Sequence, residues 1–263
     1  MNKICVITGG SSGIGRSTAR YMYENGYKVY ELSRHGKDNN GIIHIDTDVT
    51  DENTVKNAIE HILSKDGKID ILINNAGFGI SGAVEFTTIH DAKRQFDVNF
   101  FGTFNMCKAV LPVMRKQHFG RIVNIGSVAG AVAIPFQSFY SASKAAIRSF
   151  SLSLYNEVRD FGIGVLCIEP GDIKTGFTSS RVKTDIGDDQ YGGKISRSVS
   201  KMEHDEQNGM MPDIAGKYIA KAAMGKSRKP IKSIGFSYKL ICILAKILPS
   251  RLILKIIGKM YAK

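Results

Sequence analysis

Short apolar runs and helically spaced apolar residues alternate along most of this chain. Residues 4–7 form a continuous apolar run of the kind that becomes a buried strand. A glycine-rich turn follows, and then a helical pattern runs from Arg16 to Asn25. This alternation continues from Lys3 to about Ile168. It predicts an α/β fold, in which helices cover both faces of one doubly wound parallel sheet with right-handed crossovers.

A polar segment interrupts this alternation after Thr175. Residues 176–211 contain several glycines and are longer than a plain connection between two elements. Segments of this kind often close over a substrate. We therefore predict a substrate loop at 176–211, within a single catalytic domain that covers residues 1–225.

The C-terminal segment, residues 226–263, is predicted to form a separate helical tail. Tyr238–Leu248 is apolar, Pro249 breaks the helix, and Ser250 is placed to cap a second one. The second helix carries a narrow basic arc of residues spaced four apart, namely Arg251, Lys255 and Lys259. Apolar residues occupy the rest of its surface, so the tail is basic and amphipathic.

Most of the positive charge of the chain lies in this tail. The formal net charge is +12, and residues 226–263 contribute ten Lys or Arg and no Asp or Glu. The catalytic part is therefore nearly neutral, and with no helix-turn-helix pattern in view we expect no nucleic-acid partner. Neither tail helix reaches the ~18–20 apolar residues that span a bilayer. The tail suits either peripheral membrane contact through 236–261 or packing on the domain or on a partner subunit.

Cysteine and histidine usage points to a reduced compartment and to no metal. Cys5, Cys107, Cys167 and Cys242 lie far apart in apolar segments, as reduced thiols of a cytoplasmic protein do. The first predicted strand begins at the N-terminus, which leaves no room for a signal peptide. The six histidines lack the spacing of metal ligands, so no metal site is predicted.

The turn after the first strand has the composition of a dinucleotide-binding loop. It reads Thr8-Gly9-Gly10-Ser11-Ser12-Gly13-Ile14-Gly15. Glycines there let backbone N–H groups approach a pyrophosphate at the positive end of the next helix. A Cβ would block that approach. The turn therefore predicts a dinucleotide cofactor.

Tyr140 and Lys144 form the most informative pair for catalysis. Four residues apart on a helix, their side chains project from one face. An ammonium beside a phenol favours the phenolate, so we expect Lys144 to lower the pKa of Tyr140 from its usual ~10. A tyrosine tuned in this way exchanges a proton with an alcohol oxygen near neutral pH.

Together these segments resemble the short-chain dehydrogenase/reductase family. The turn is similar to the family's T-G-x-x-x-G-x-G pattern, and Asn74-Asn75-Ala76-Gly77, Tyr140…Lys144 and Pro170–Thr175 match further motifs in the correct order. The resemblance covers roughly residues 3–178 and implies a Rossmann-type fold. The implied cofactor-binding residues are Gly9, Ser11, Ser12, Gly13, Ile14, Gly15, Ser33, Arg34, Asp48, Val49, Asn75, Ala76, Gly77, Tyr140, Lys144, Pro170, Gly171, Ile173 and Thr175.

The resemblance also implies an oxidoreductase and assigns catalytic roles. Tyr140 is implied to be the general acid/base, and Ser127 to hydrogen-bond the same substrate oxygen. Lys144 is implied to hold the nicotinamide ribose as well, and Asn99 to fix a water that links Lys144 to solvent. The nicotinamide carries the hydride.

The end of the second strand indicates which nicotinamide cofactor is bound. An acidic residue there holds the ribose 2′-OH of NAD, whereas an arginine accommodates the 2′-phosphate of NADP. By family alignment this position is Ser33, followed by Arg34, which favours NADP(H) over NAD(H). Two observations favour NAD(H) instead. Glu31 lies on the same face of the strand, and Ser12 stands where many NADP-binding relatives carry a basic residue.

The expected substrate-facing residues are mostly apolar and favour a lipophilic alcohol or ketone. They are Phe78, Ile80, Val128, Ala129, Ile134, Phe136, Phe139 and Phe177. Residues 74–82 and 134–140 resemble the hydroxysteroid and retinol dehydrogenase branch of the family. That resemblance implies a hydroxysteroid, bile acid or retinol as substrate, and a homo-oligomer.

Two alternative functions remain open. A reductase of a lipid carbonyl such as an acyl-dihydroxyacetone-phosphate needs a basic group at the pocket, for which Lys174, Arg181 and Lys183 are candidates. A catalytically silent NADP-binding scaffold would keep the fold and lose the chemistry. The complete set of catalytic residues argues against this second alternative.

Overall fold

A computed structural model describes residues 2–225 and 229–262 of the chain. The strands are β1 (Lys3–Thr8), β2 (Tyr27–Ser33), β3 (Ile43–Asp46), β4 (Ile71–Asn74), β5 (Ile80–Ser81), β6 (Gly120–Ile125), β7 (Ile163–Glu169), β8 (Val182–Lys183) and β9 (Ile231–Ser233). Seven of them form one parallel sheet in the order β3-β2-β1-β4-β6-β7-β9, and β5 pairs with β8. The single α/β domain of the Rossmann type is therefore confirmed.

Helices flank this sheet throughout the described residues. They are α1 (Gly13–Glu24), α2 (Glu52–Asp66), α3 (Ile89–Phe96), α4 (Gly102–Gln117), α5 (Ser138–Val158), α6 (Phe177–Ser180), α7 (Lys194–Gln207), α8 (Pro212–Met224), α9 (Phe236–Ile247) and α10 (Ser250–Tyr261). Local signals explain several helix ends. The Asp51 carboxylate accepts the Asn53 N–H at the start of α2, and Gly67 ends the helix with φ of 71°.

The strand order reverses between β1 and β4, which are parallel neighbours in the sheet. From β1 the sheet extends through β2 and β3 on one side, and from β4 through β6 and β7 on the other. Such a switch point leaves a crevice at the carboxyl ends of the strands, where ligands bind. The glycine-rich turn follows β1 and Asn75 follows β4, so both lie at this crevice.

Two apolar layers hold the helices on the sheet. On one face Val6 belongs to a buried cluster with Met106 of α4. On the other face Ile7 belongs to a second cluster with Met22 of α1. Successive side chains of a strand point to opposite faces, so the continuous apolar run at 4–7 serves both layers.

Two helices differ from their predicted bounds. α1 begins at Gly13 rather than Arg16, because the Arg16 N–H already donates to the Ser12 carbonyl at 2.9 Å. The sequence also predicts a helix over Phe96–Val110, which contains Asn99. In the structure this segment is divided, since α3 ends at Phe96 and α4 begins at Gly102. The residues between them, Asp97–Phe101, form a π-helical turn. Such turns often mark functional sites.

The substrate loop and the tail contain more regular structure than their sequences indicate. The loop at 176–211 includes α6, β8 and α7, and the tail includes β9, which pairs with β7 in the main sheet. The predicted boundary between 225 and 226 adjoins residues 226–228, which lie outside the described part of the chain. Pro249, and not Ser250, occupies the cap position of α10. None of the described helices is both long and apolar enough to cross a bilayer.

The four cysteines are free and buried. Burial raises the pKa of the Cys107 thiol to about 12, although the amide of Asn74 donates to it at 3.3 Å. Burial likewise raises the pKa of Cys167 to about 12. Thiols of this kind are protonated at neutral pH and unreactive.

Candidate active site

Glycines in the turn after β1 leave its backbone unobstructed by side chains. Gly9 and Gly13 have φ angles of 62° and 52°, which favour glycine. A Cβ on Gly15 would lie 2.2 Å from the carbonyl oxygen of Gly9. The amide of Asn75 donates to the carbonyls of Thr8 and Gly9 at 3.0 Å each, which fixes the turn to the end of β4. The accessible backbone of this turn, at the start of α1, fits a dinucleotide pyrophosphate.

A cavity of about 550 Å³ extends from this turn to the predicted catalytic residues. Most of the predicted cofactor-binding residues line it. They are Gly9, Ser11, Ser12, Gly13, Ile14, Gly15, Asn75, Ala76, Gly77, Tyr140, Lys144, Pro170, Gly171, Ile173 and Thr175. The structure thus brings together segments that are far apart in the sequence, as the motifs predict.

Arg34 and Asp48 line a second, polar recess together with Arg94 and Asp97. The Asp48 carboxylate accepts the N–H and the hydroxyl of Thr50 at 2.9 and 2.8 Å. Two guanidinium groups therefore share one recess with two carboxylates. Guanidinium groups in such a place suit a phosphate.

The remaining residues predicted near the ribose contact protein groups. The Ser33 hydroxyl donates to the carbonyl of His35 at 3.2 Å, and Val49 is buried in the core. The Glu31 carboxylate lies 2.5 Å from Nδ1 of His44. Glu31 also packs beneath the glycine-rich turn. His44 therefore pairs with Glu31, the acidic side chain on which the argument for NAD(H) is based.

Ser127 and Tyr140 reach the cavity from different elements. Ser127 follows β6, and Tyr140 lies in the first turn of α5. A hydrogen bond links their hydroxyl groups. The ring of Phe177 lies 5.6 Å from the ring of Tyr140, centroid to centroid, and covers it. Both hydroxyls are therefore presented at one point of the cavity wall.

Lys144 and Asn99 lie behind these hydroxyls. The Nζ of Lys144 is 5.7 Å from the centroid of the Tyr140 ring. Asn99 is fully buried, its Nδ2 donates to the Ser143 hydroxyl, and its Oδ1 accepts the Phe78 N–H, each at 3.1 Å. Asn99 thus ties α5 to the segment after β4, while Lys144 lines the cavity itself.

Burial determines the protonation of the two central groups. It raises the pKa of Tyr140 to about 12, although the hydrogen bond with Ser127 acts to lower this pKa. It lowers the pKa of Lys144 to about 8. The predicted net lowering of the pKa of Tyr140 is therefore wrong, because desolvation raises it. The ammonium of Lys144 donates instead to the Ile125 carbonyl at 2.9 Å. Tyr140 holds its proton at neutral pH.

Half of the apolar residues predicted to face the substrate line the cavity, namely Val128, Ala129, Ile134 and Phe177. The other four are Phe78, Ile80, Phe136 and Phe139. Of these, Phe78 packs 5.0 Å from the guanidinium of Arg94, and Phe136 packs edge-on against Tyr191. Ile80 is buried.

The tail supplies a wall of the cavity, and none of its lining residues was among the predicted site residues. Its lining residues are Tyr238 and Ile241 of α9 and Ile257, Met260 and Tyr261 of α10. The Tyr261 hydroxyl donates to the Asp205 carboxylate at 3.1 Å, which joins α10 to α7. The apolar periodicity of the tail indicated helices, but it did not indicate the surface on which they pack.

Two carboxylates, Asp172 and Glu206, also line the cavity. Beyond burial, their negative charges further raise the pKa of Tyr140, so both lie within electrostatic reach of it. Glu206 forms an ion pair with buried Arg181 and accepts the Thr178 hydroxyl at 2.6 Å. Neither carboxylate was predicted as a site residue.

Comparisons with known proteins identify the family of the chain. Residues 3–186 match the short chain dehydrogenase family. The chain is 43% identical over 228 residues to the 3-ketodihydrosphingosine reductase of Bacteroides thetaiotaomicron, covering 86% of this chain and 85% of that protein.

Two solved structures extend the similarity to nearly the whole fold. A short-chain dehydrogenase from Streptomyces avermitilis has a TM-score of 0.83 at 27% identity, covering 98% of this chain and 97% of that one. ElxO with NADP bound has a TM-score of 0.77 at 29% identity, covering 91% and 100%. The chain belongs to the short-chain dehydrogenase/reductase family. It is an NAD(P)-dependent oxidoreductase that acts on CH–OH groups or the corresponding carbonyls.

Proposed function

We propose that this protein is an NADPH-dependent reductase of a long-chain lipid ketone. The observation that carries the proposal is a protonated Tyr140 beside Ser127 on the wall of a largely apolar cavity. A tyrosine with a pKa near 12 is protonated at neutral pH and can donate to the oxygen of a ketone. Reduction is the direction that this protonation state supports.

Each catalytic side chain has a distinct proposed role. The Ser127 hydroxyl orients the ketone oxygen, and Tyr140 transfers its proton to that oxygen. The cationic Lys144 holds the ribose of the nicotinamide, and Asn99 keeps Lys144 and Tyr140 in place through its bonds to α5. The bound cofactor supplies the hydride.

NADPH is favoured over NADH by the arrangement at the end of β2. Arg34 and Arg94 line the recess there, and a 2′-phosphate needs such charge-assisted donors. The acidic alternative, Glu31, is held by His44 at 2.5 Å. These contacts support the sequence-based preference for NADP(H).

A linear lipid with an amino group is favoured as the substrate. The relative from Bacteroides thetaiotaomicron is named for 3-ketodihydrosphingosine, a long-chain ketone whose neighbouring carbon bears an amine. In this chain apolar residues of α9 and α10 can cover an alkyl chain. Asp172 stands on the same wall, where its negative charge favours an ammonium near the reacting ketone. Glu206 adds to this charge, which its ion pair with Arg181 partly offsets.

A phosphorylated ketone is disfavoured by the contacts of the basic residues proposed to bind it. Arg181 forms an ion pair with Glu206, and Lys183 with Glu203. The third candidate, Lys174, is exposed and lies outside the residues that line the cavity. Two of the three candidate cations are therefore paired with carboxylates, and the third does not line the cavity.

The contacts of the predicted substrate-facing residues likewise weaken the hydroxysteroid hypothesis. It rests on the similarity of residues 74–82 and 134–140 to one branch of the family. From these segments Phe78, Ile80 and Phe136 contact protein groups away from the cavity lining. A rigid polycyclic substrate also offers no cation for Asp172 and Glu206.

The test is NADPH oxidation with a panel of carbonyl compounds, repeated with NADH. The panel contains a long-chain 2-amino-3-ketone, the same chain without the amine, a ketosteroid, an oxo-bile acid, retinal and an acyl-dihydroxyacetone-phosphate. We expect the highest kcat/KM for the amino ketone with NADPH, and at least tenfold less without the amine. A higher kcat/KM for a steroid or for the phosphorylated ketone would overturn the proposed substrate.

A further inference from the structure

The helix α9 has two apolar faces, and the domain covers one of them. Tyr238, Ile241 and Cys242 point inward, where they contact the site or are buried. A second set faces solvent and recurs at helical spacing, and we term it the apolar stripe: Phe236, Leu240, Ile243, Leu244 and Ile247. Phe236 is 83% exposed and Ile247 is 72% exposed. A soluble helix normally keeps such residues on its buried face.

The helix α10, which follows Pro249, also carries exposed apolar residues. Leu252, Ile256 and Met260 are exposed and spaced four apart, so they form an arc beside buried Ile257. Apolar residues on both tail helices therefore face outward in addition to those that pack on the domain. Exposed apolar residues that share one helix face in this way mark an interaction site.

Basic side chains flank the exposed apolar surface on both helices. Lys239 and Lys246 are exposed and lie seven apart along one edge of the stripe on α9. Arg251, Lys255 and Lys259 are exposed and form the corresponding arc on α10. The whole segment 226–263 contains no acidic residue. The charge complement of this surface is therefore anionic.

We infer that α9 and α10 form a docking surface for an anionic lipid bilayer. An apolar stripe bordered by lysines can lie in the interface with its apolar side chains among acyl chains and its cations at the headgroups. A second copy of the chain fits less well. Stripe-to-stripe contact would bring Lys239 and Lys246 of both copies together with no carboxylate in the segment to balance them.

The active site lies directly beneath these two helices, and this arrangement has a functional consequence that rests on the proposed function. The inward faces of the same two helices line the cavity through Tyr238, Ile241 and Ile257. Met260 both lines the cavity and is exposed. A lipid ketone can thus pass from the bilayer to the site along one helical layer. Membrane binding itself does not depend on which substrate is reduced.

Vesicle flotation of the full chain tests the surface directly. The probes are phosphatidylcholine vesicles with and without phosphatidylglycerol, and the variants are Ile243→Ser/Ile247→Ser and Lys239→Glu/Lys246→Glu. We expect the wild type to float with the anionic vesicles and each variant to lose at least tenfold in partitioning. Each basic residue near an anionic surface contributes about fivefold.

The matched control replaces two equally exposed apolar residues elsewhere, Ile89→Ser/Ile214→Ser, with exposures of 73% and 58%. We expect this control to float like the wild type, and thermal melting to show that all variants are folded. Absence of flotation in the wild type, or equal loss in the control, overturns the inference. A dimer in solution that Ile243→Ser/Ile247→Ser converts to a monomer would also overturn it. None of these readouts involves activity, so the proposed function is tested separately.

Discussion

The hydroxyl of Tyr238 donates a hydrogen bond of 2.6 Å to the carboxylate of Asp172, across 66 residues of sequence. Asp172 lies in the segment after β7 that lines the cavity, and Tyr238 lies on α9. The ring of Tyr238 fills the space beside Gly171, where a Cβ would lie 2.3 Å from it. Burial, together with this bond, raises the pKa of Tyr238, so it remains a donor. This contact fixes the tail helix to the active site.

Replacing Tyr238 with phenylalanine tests whether the tail shapes the substrate site. The variant keeps the ring and removes one hydrogen bond to a carboxylate, which costs about 1.5–3 kcal/mol of stability. We expect a raised KM for the lipid ketone and an unchanged Kd for NADPH, measured by steady-state kinetics and fluorescence titration. The control is Tyr23→Phe, an exposed tyrosine near the end of α1. An unchanged KM in Tyr238→Phe would show that the tail wall does not contact substrate.

Replacing Tyr140 with phenylalanine separates an enzyme from a silent cofactor-binding protein. The ring contact with Phe177 is kept, and only the proton donor is removed. We expect turnover to fall by 10²–10⁴-fold, as acid–base catalysis implies, with NADPH binding retained. Ser127→Ala, which removes the hydroxyl that bonds Tyr140, should lower kcat by a smaller factor. Turnover that survives in Tyr140→Phe would refute the assigned proton donor.

Local patterns explain why much of the site was predictable. The glycine-rich turn and the Tyr140–Lys144 pair depend on neighbours within eight residues, and backbone geometry fixes their relative positions. The edge strand β9 of the main sheet was not predictable in the same way. It is three residues long, and its pairing with β7 is a long-range contact.

The electrostatics of the site depended on contacts that no short motif encodes. The pKa of Tyr140 follows from burial, to which Phe177 contributes from a distant helix. The carboxylates of Asp172 and Glu206 reach the cavity only through the folding of the loop and of the segment after β7. Spacing in the sequence identified Tyr140 but neither carboxylate, and it does not give the dielectric environment around them.

An exposed phenylalanine on α4 allows a test of the homo-oligomer expected from the family resemblance. Phe104 is exposed near the Phe150 ring of α5, at 6.5 Å between centroids. We expect the wild type to be a dimer or tetramer by light scattering, and Phe104→Lys to shift it towards the monomer. Phe119→Lys, at an exposed phenylalanine beyond the end of α4, is the control. A monomeric wild type would remove this expectation.

Arg34→Ala tests the cofactor preference. Charge-assisted bonds to a phosphate are worth about 1.5–3 kcal/mol, so NADPH affinity should fall by about 10–100-fold. NADH affinity should change little, because NADH lacks the 2′-phosphate. The measurement is Kd by fluorescence titration, with exposed Arg115→Ala of α4 as the control. Equal weakening of both cofactors would mean that Arg34 does not contact the phosphate.

The pH dependence of reduction should report Lys144. Burial lowers its pKa to about 8, so the ammonium is present below that pH and is lost as pH rises through it. If the ammonium is the competent form, kcat/KM for the ketone is flat near pH 7 and falls above about 8, by about tenfold per pH unit. Tyr140, with a pKa near 12, stays protonated and adds no change in this range. Lys144→Arg, if active, should keep its charge and lose the fall, since arginine stays protonated. A wild-type profile that stays flat to pH 10, or an identical fall in Lys144→Arg, would show that another group controls the rate.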